Sequence, residues 1–563
     1  MKTQLRLEFE YVFPDEEPKK IIEYLKDVSS FTLLHSIGFS TGRDLPNYDT
    51  FFSNPLTKID IIRRIEMYRS QFPISGEFGV ISRGGSLRIA EIILGNRDVL
   101  IENNRNDDRD ADELNLFKAY LVANKDANAK EKMFEAEDNI EKMVDMSITM
   151  LFPISDTGVF ENSDLEFLKV LYATSIRFDM LLAFFKSDPE YDYLEKDLYT
   201  YFGQKDIDAL NEQVKYLFGT LLSLKAKNNY KLKIEDEDAL TFLNTLVADS
   251  IIESPDFTGL KNHPLYKIEE NIFSIIDFFF VVDKFFKSVK FILKKSFNDH
   301  HNLSPRDRSF FNFYNTKFSE EFLMQKVLDQ IFHQSYIRKK EEKETTTAEP
   351  DYYARHNNKV FVFENKDVLI AADIKSSGNI DKINAVLKKK FLINGKKRPG
   401  IGQLVNAIKQ IVSNNFKYDD FVNTKSNITI YPVLLVSDRI FEIPGVNYRL
   451  NNWYFDMIKE ELGDKYNSHY IKDLTVIDID TLIFWMPHLE AKDSNFRKII
   501  DRHLKMMVTR PNINEPNYQL GLELANKGIS SQLSPVSNRF KEYKFPTHLV
   551  MEPLKAIIKN KTK

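Results

Sequence analysis

Three side chains in the second half of the chain have the types and the spacing to hold a hard cation and activate water beside it: Asp351, Glu364 and Lys366. Twelve residues separate the two acids, and Lys366 stands two positions beyond Glu364. Residues i and i+2 of a strand point to the same face, so Glu364 and Lys366 project together. Two carboxylates make an oxygen-rich site suited to Mg2+ or Mn2+, which keep several waters in an octahedral shell. Such a cation lowers the pKa of bound water and stabilises charge on a phosphate in transit. A neighbouring lysine helps to position that water or to screen the developing charge.

The elements around these residues must bring them together. Asn357-Asn358 is a turn-forming pair within the segment between the acids. A hairpin there sets Asp351 alongside Glu364 and turns Phe361 and Phe363 to the opposite face, where they pack on a helix. Lys359–Phe363 and Val368–Ala372 read as strands. Upstream, Phe318–Arg338 reads as a helix with an apolar stripe of Leu323, Met324, Val327, Leu328 and Ile331 at about 100° per residue. Glu320 falls near the middle of that stripe and Glu321 towards its edge. A carboxylate on a buried face needs a partner, so Glu320 joins the site list; the bland reading is a first-turn acid favoured by the helix dipole. Downstream, a helix over Ile401–Val412 carries Gln403 in its first turn, off the stripe of Leu404, Ile408 and Ile411. A second register stays open, in which Asp373 and Lys375 supply the acid-x-lysine pair and Glu364 takes the upstream role.

Pro350–Asp351 followed by Glu364-Asn365-Lys366 resembles the PD-(D/E)XK nuclease superfamily, over roughly residues 318–436, about a fifth of the chain. The resemblance implies a restriction-endonuclease-like core, a mixed α/β unit of order αβββαβ. It makes Asp351 and Glu364 metal ligands for Mg2+ or Mn2+ and Lys366 the catalytic lysine. It also adds Glu320, as the acid on the preceding helix, and Gln403, on the following one, to the catalytic set. DNA is the implied substrate, and bacterial proteins that pair such a core with a long helical region resemble anti-phage defence or restriction factors.

Charge supports an anionic ligand near the motif. From Tyr352 to Asp420 there are 13 Lys and Arg against 6 Asp and Glu, a balance of +7, so with a total of −5 the rest of the chain carries −12. Lys388, Lys389, Lys390 and Lys396, Lys397, Arg398 form two clusters suited to tracking phosphates. The plain alternative is a solvated face.

The chain has 563 residues, 43 % hydrophobic and 29 % charged, enough for more than one packed domain. Residues 1–300 read as a mainly α-helical domain for sensing, gating or interaction, and 301–563 as the nuclease-like domain with a C-terminal α/β extension. Helical spacing marks Asp112–Val122, Lys132–Leu151, Asp164–Phe185, with Asn162 as its cap, and Asp206–Leu224. The N-terminus reads as a strand, Asn103–Asp112 as a loop and Ser82-Arg-Gly-Gly-Ser as a hairpin turn. Phe273–Phe286 reads as a buried helix, because Asp277, Asp283 and Lys284 interrupt it and a span needs about 20 mostly apolar residues. No membrane partner is expected.

Cys is absent, which excludes disulfides, thiolate metal sites and a cysteine nucleophile. A cytoplasmic setting fits that composition. The histidines have no metal-binding spacing, and there is no phosphate-binding loop, Gly-x-Ser-x-Gly elbow or zinc finger. Two alternatives to a nuclease remain: a nuclease-like protein that binds DNA or a partner without cutting, and a structural α/β protein in which Glu364 and Lys366 form an ordinary ion pair. The oligomeric state is left open, a homo-oligomer included.

Overall fold

In a computed structural model, the structure describes residues 5–38, 47–71, 78–102, 108–130, 140–153, 155, 163–247, 250–340, 350–425 and 427–507. The protein is mixed α/β. Two compact units divide the chain, one made of residues 1–133, 190–296 and 551–563, the other of residues 134–189 and 297–550. A single cut near residue 300 therefore does not describe the organisation. The helices of 134–189 belong with the second unit, although their own composition resembles the helical region around them.

The first unit is mainly helical with two small sheets. Among the described residues its N-terminal strand covers Leu5–Arg6, paired in parallel with Phe78–Gly79, and is followed by the short helix Phe9–Val12. The serine-glycine segment opens the helix Arg83–Gly95 instead of turning a hairpin. Ser82 is its N-cap, with Oγ accepting from the Gly85 amide at 3.0 Å. The apolar run at Phe273 is likewise split into the strand Ile272–Ile275 and the helix Phe278–Asp283. Asp277 makes the break, its carboxylate accepting from the amides of Phe279 and Phe280. Ile207–Ala226 lies where the periodicity places a helix, whereas the helix expected over Asp112–Val122 runs from Arg109 to Lys130 and takes in the last residues of the expected loop Asn103–Asp112, whose residues 103–107 lie outside the described residues. Among the described residues no helix is long and apolar enough to cross a membrane.

The second unit is built on a five-stranded sheet: β1 Ile337–Lys340, β2 Tyr352–His356, β3 Lys359–Lys366, β4 Thr429–Val436 and β5 Thr475–Asp478. They lie in sequence order, with β1, β2 and β3 forming an antiparallel meander and β4 and β5 continuing parallel to β3. The β2–β3 loop is Asn357-Asn358, with Asn357 at φ 51°, a left-handed conformation that Asn tolerates better than most residues. The helices α1 Ile140–Leu151, α2 Ser163–Phe185, α3 Gln325–Ile331, α4 Ile380–Phe391, α5 Ile401–Val412, α6 Val446–Leu462, α7 Ile479–Leu489 and α8 Ser494–Met506 complete the unit. π-helical turns over Tyr314–Met324 lead into α3. Residues 131–139 and the proposed cap Asn162 lie outside the described residues.

Alternation along β3 sorts the two faces. Val360 and Val362, with Tyr353, Leu434 and Val436, join one core with Ile383, Leu387 and Phe391 of α4, Ile401, Leu404 and Ile408 of α5 and Val144 and Ile148 of α1. Phe361 and Phe363 take the other face, where the Phe332 ring lies 5.9 and 5.8 Å from theirs and the Phe496 ring 5.3 and 5.9 Å. Burial of both faces explains why β4 reads as a near-continuous apolar run.

Two local expectations change. The helix expected through Arg338 ends at Ile331, and Ile337–Lys340 becomes the edge strand β1, where pairing with β2 overrides local propensity. No strand forms at Val368–Ala372; the short helix Ala372–Lys375 follows an irregular segment.

Candidate active site

One step beyond the pair Tyr352–Phe363, Asp351 falls opposite Glu364, so both carboxylates rise from the same sheet face. Glu364 and Lys366 extend the stripe begun by Val360 and Val362, which ends where the apolar core ends. Asp351 is 4 % exposed and Glu364 0 %. The Lys366 ammonium lies 3.1 Å from Glu364 Oε2, 3.8 Å from Asp351 Oδ2 and 3.0 Å from the Asn365 carbonyl. The Asn365 amide donates to Asp351 Oδ2 at 2.7 Å and fixes that carboxylate. Asn365 itself points to the other face, where its side-chain amide donates to Ser319 Oγ at 3.3 Å.

Burial, and then the charges of Asp351 and Glu320, push the Glu364 carboxyl well above the usual carboxylate range, while Lys366 opposes the shift. For Lys366, burial favours the neutral amine, but Glu364 and Asp351 more than offset this and hold the ammonium above its ordinary range. Glu364 Oε1 is buried without a hydrogen-bond partner. A buried carboxylate oxygen without a donor is costly, and a divalent cation is one group that satisfies it. Among the described residues no group of three or more His, Asp or Glu is arranged to hold a metal. Two carboxylates with a backbone carbonyl and waters still fit Mg2+, which commonly takes one or two carboxylates. Asp351 and Glu364 would hold it, and when bound it would supply an acidified water and charge stabilisation at phosphorus.

Glu320, in the π-helical turns, is half-buried and close enough to act electrostatically on both Glu364 and Lys366. Glu321 is turned to Lys317, 2.8 Å away. The expected stripe of Leu323, Met324, Val327, Leu328 and Ile331 is buried. Gln403 caps its own helix, its Oε1 accepting from the Gly400 amide at 2.9 Å. Asp373 and Lys375 lie on the helical turn Ala372–Lys375, where i and i+2 do not share a face, and Asp373 is exposed. That register lacks the strand it requires.

The basic clusters divide. Lys388 and Lys389 are exposed on α4 and Lys390 is half-buried; Lys396, Lys397 and Arg398 lie on the exposed α4–α5 loop. Arg398 pairs with Glu461 at 2.6 Å, and the Lys388 ammonium stands 5.4 Å from the centre of the Trp453 ring.

Two features escape motif reading. A Cβ on Gly400, at φ 56°, would lie 3.3 Å from the Phe391 carbonyl, a tight approach, and 3.6 Å from Lys366 Cε, an ordinary contact, so the α5 N-terminus packs beside the lysine. A buried charge cluster closes the carboxyl end of the parallel strands. Lys169 lies 2.6 Å from Glu442, 3.2 Å from Glu166 and 3.5 Å from Asp478, while Arg177 pairs with Asp480 and donates to the Ser437 carbonyl at 3.3 Å. The available signal was Lys169 and Arg177 within a largely apolar helix that also carries Asp164, Glu166 and Asp179.

No protein-family model matches the chain, and neither curated proteins nor solved structures yield a match.

Proposed function

We propose that the protein is a metal-dependent nuclease hydrolysing DNA phosphodiester bonds, with a restriction-endonuclease-like core in its second unit. The observation that carries this reading is the placement of Asp351 and Glu364 on one sheet face, with the Lys366 ammonium within 4 Å of an oxygen of each. The order of elements agrees with it: helix, three-stranded antiparallel meander, helix, parallel strand. Asp351, oriented by the Asn365 amide, and Glu364 hold Mg2+ or Mn2+. Lys366 positions the attacking water and screens charge on the phosphate. Glu320 adjusts the field from the preceding helix, and Gln403 acts only through the α5 N-terminus.

The test is cleavage by the purified full chain with Mg2+ or Mn2+ on double-stranded DNA, single-stranded DNA and RNA. Metal-dependent cutting of DNA that Glu364→Ala and Lys366→Ala each abolish is expected. Cutting that persists in both variants overturns the site. Metal-independent DNA binding without cleavage favours the second reading, a nuclease-like binding protein. A role in bacterial defence predicts that cells expressing the wild type, but not Glu364→Ala, resist phage.

A further inference from the structure

β3 outruns one of its neighbours. β2 pairs with it only as far as Phe363, whereas β4 accompanies it to Lys366. Backbone groups that lose a ladder partner must find another. The Asn365 amide finds Asp351 Oδ2 at 2.7 Å, and the Asn365 carbonyl takes the Lys366 ammonium at 3.0 Å. An acid and the lysine of the site thus depend on how the backbone of one residue is turned. The π-helical turns over Tyr314–Met324 hold that residue from the opposite sheet face. Asn365 Nδ2 donates to Ser319 Oγ at 3.3 Å. Four residues before Ser319, Asn315 Nδ2 donates at 3.0 Å to the carbonyl of Asp367, the first residue beyond β3.

Packing alone does not account for these bonds. Phe361 and Phe363 precede Asn365 on the same face and meet other rings there. An apolar residue would continue that stripe, whereas Asn365 buries an amide whose Oδ1 has no hydrogen-bond partner. Ser319 is buried as well, between Phe318 and the half-buried Glu320. π-Helical turns recur at functional sites, and here they place both polar contacts at the end of β3. We propose that Asn365, Ser319 and Asn315 are positioning residues, through which the π-helical segment clamps the end of β3 and fixes Asp351 and Lys366 for the cation and the attacking water. This rests on the nuclease reading and gives the segment ahead of the meander a part in it.

The experiment titrates the full chain with Mn2+ by calorimetry in the absence of DNA, and then measures kcat and KM on duplex DNA. Removing a group that orients a metal ligand typically costs about 10–100-fold in affinity or activity. Asn365→Ala and Ser319→Ala are each expected to raise the Mn2+ dissociation constant by at least about tenfold and to lower kcat, with KM for DNA unchanged. The double variant should lose no more than either single one, because the two side chains share one bond. Phe496→Leu loosens packing on the same face of β3 without touching these bonds, so it should lower the melting temperature and leave the dissociation constant alone. An unchanged constant in folded Asn365→Ala and Ser319→Ala overturns the proposal, as does wild type that binds no Mn2+. Should Asn365→Ala fail to fold, Ser319→Ala and Asn315→Ala decide. Wild type that binds Mn2+ but cuts no DNA removes the nuclease reading and leaves the clamp to the dissociation constants; metal-dependent cleavage with unchanged constants in the variants does the reverse.

Discussion

The Asn365 amide donates to Asp351 Oδ2 at 2.7 Å, tying the residue between the acid and the lysine of one strand to the acid preceding the neighbouring strand. Asp351 is thereby held on the face that carries Glu364, and its carboxylate is oriented before any cation arrives. Preorganisation of this kind makes a metal site selective in geometry, and it links the turn at Asn357-Asn358 to the chemistry several residues away.

If the two carboxylates hold a divalent cation, Mg2+ or Mn2+ should raise the melting temperature of the wild type, since a ligand bound only by the folded state stabilises it. Glu364→Gln should abolish the metal-induced rise. It should leave the metal-free melting temperature unchanged or raised, because it removes a buried acid facing Asp351 and Glu320. Differential scanning calorimetry with and without metal checks both. An equal metal response in the variant would remove Glu364 from the site.

Gly400→Ala places a Cβ against the Phe391 carbonyl and Lys366 in a left-handed backbone. Strain of about 1–3 kcal/mol is expected, read as a lower urea midpoint. Activity should fall no further than stability explains, because the Cβ would meet Lys366 only at ordinary contact distance. A loss of activity well beyond the fall in midpoint would mean that the α5 N-terminus does position Lys366.

Lys169→Met leaves Glu166, Glu442 and Asp478 without their buried cation. Breaking a buried pair by removing one partner costs about 3–5 kcal/mol, so chemical denaturation should register a large loss. Adding Glu442→Gln should recover part of it. Burial drives the Glu442 carboxyl up to about 8 even against Lys169, so its neutral form is already near at hand.

In the first unit, Glu91 is buried against Ser254, whose amide and hydroxyl both lie 3.2 Å from Oε1, and burial raises its carboxyl to about 7. The folded state then holds a proton that the unfolded chain releases near the ordinary value of 4.5. With more protons bound by the folded than the unfolded state, stability falls as pH rises. The contribution is complete below about 4.5 and is lost as pH rises through about 7. Glu91→Gln should flatten the stability difference across that window, measured as urea midpoints at successive pH values. A wild type and variant with parallel profiles would contradict it.

Local pattern was enough for the hairpin that pairs Asp351 with Glu364. Alternation over Lys359–Phe363 assigns faces, and Asn357-Asn358 supplies a residue that tolerates a positive φ. The α5 helix was equally legible, because the spacing of Leu404, Ile408 and Ile411 is strongly helical. Other features depended on partners distant in sequence. The polar edge strand β1 forms in pairing with β2, and the apolar Val368–Ala372 forms no strand and leads into a short helix instead. Gln403 looked available to the site, yet its side chain satisfies the amide of Gly400. Types and spacing by themselves determined the two carboxylates and their lysine, since the side-chain period of a strand is set by backbone geometry. The tertiary structure alone decided which register meets Asp351 and that α2 closes the carboxyl end of the sheet. Those relations arise from packing and charge between segments far apart in the chain, which no local pattern encodes.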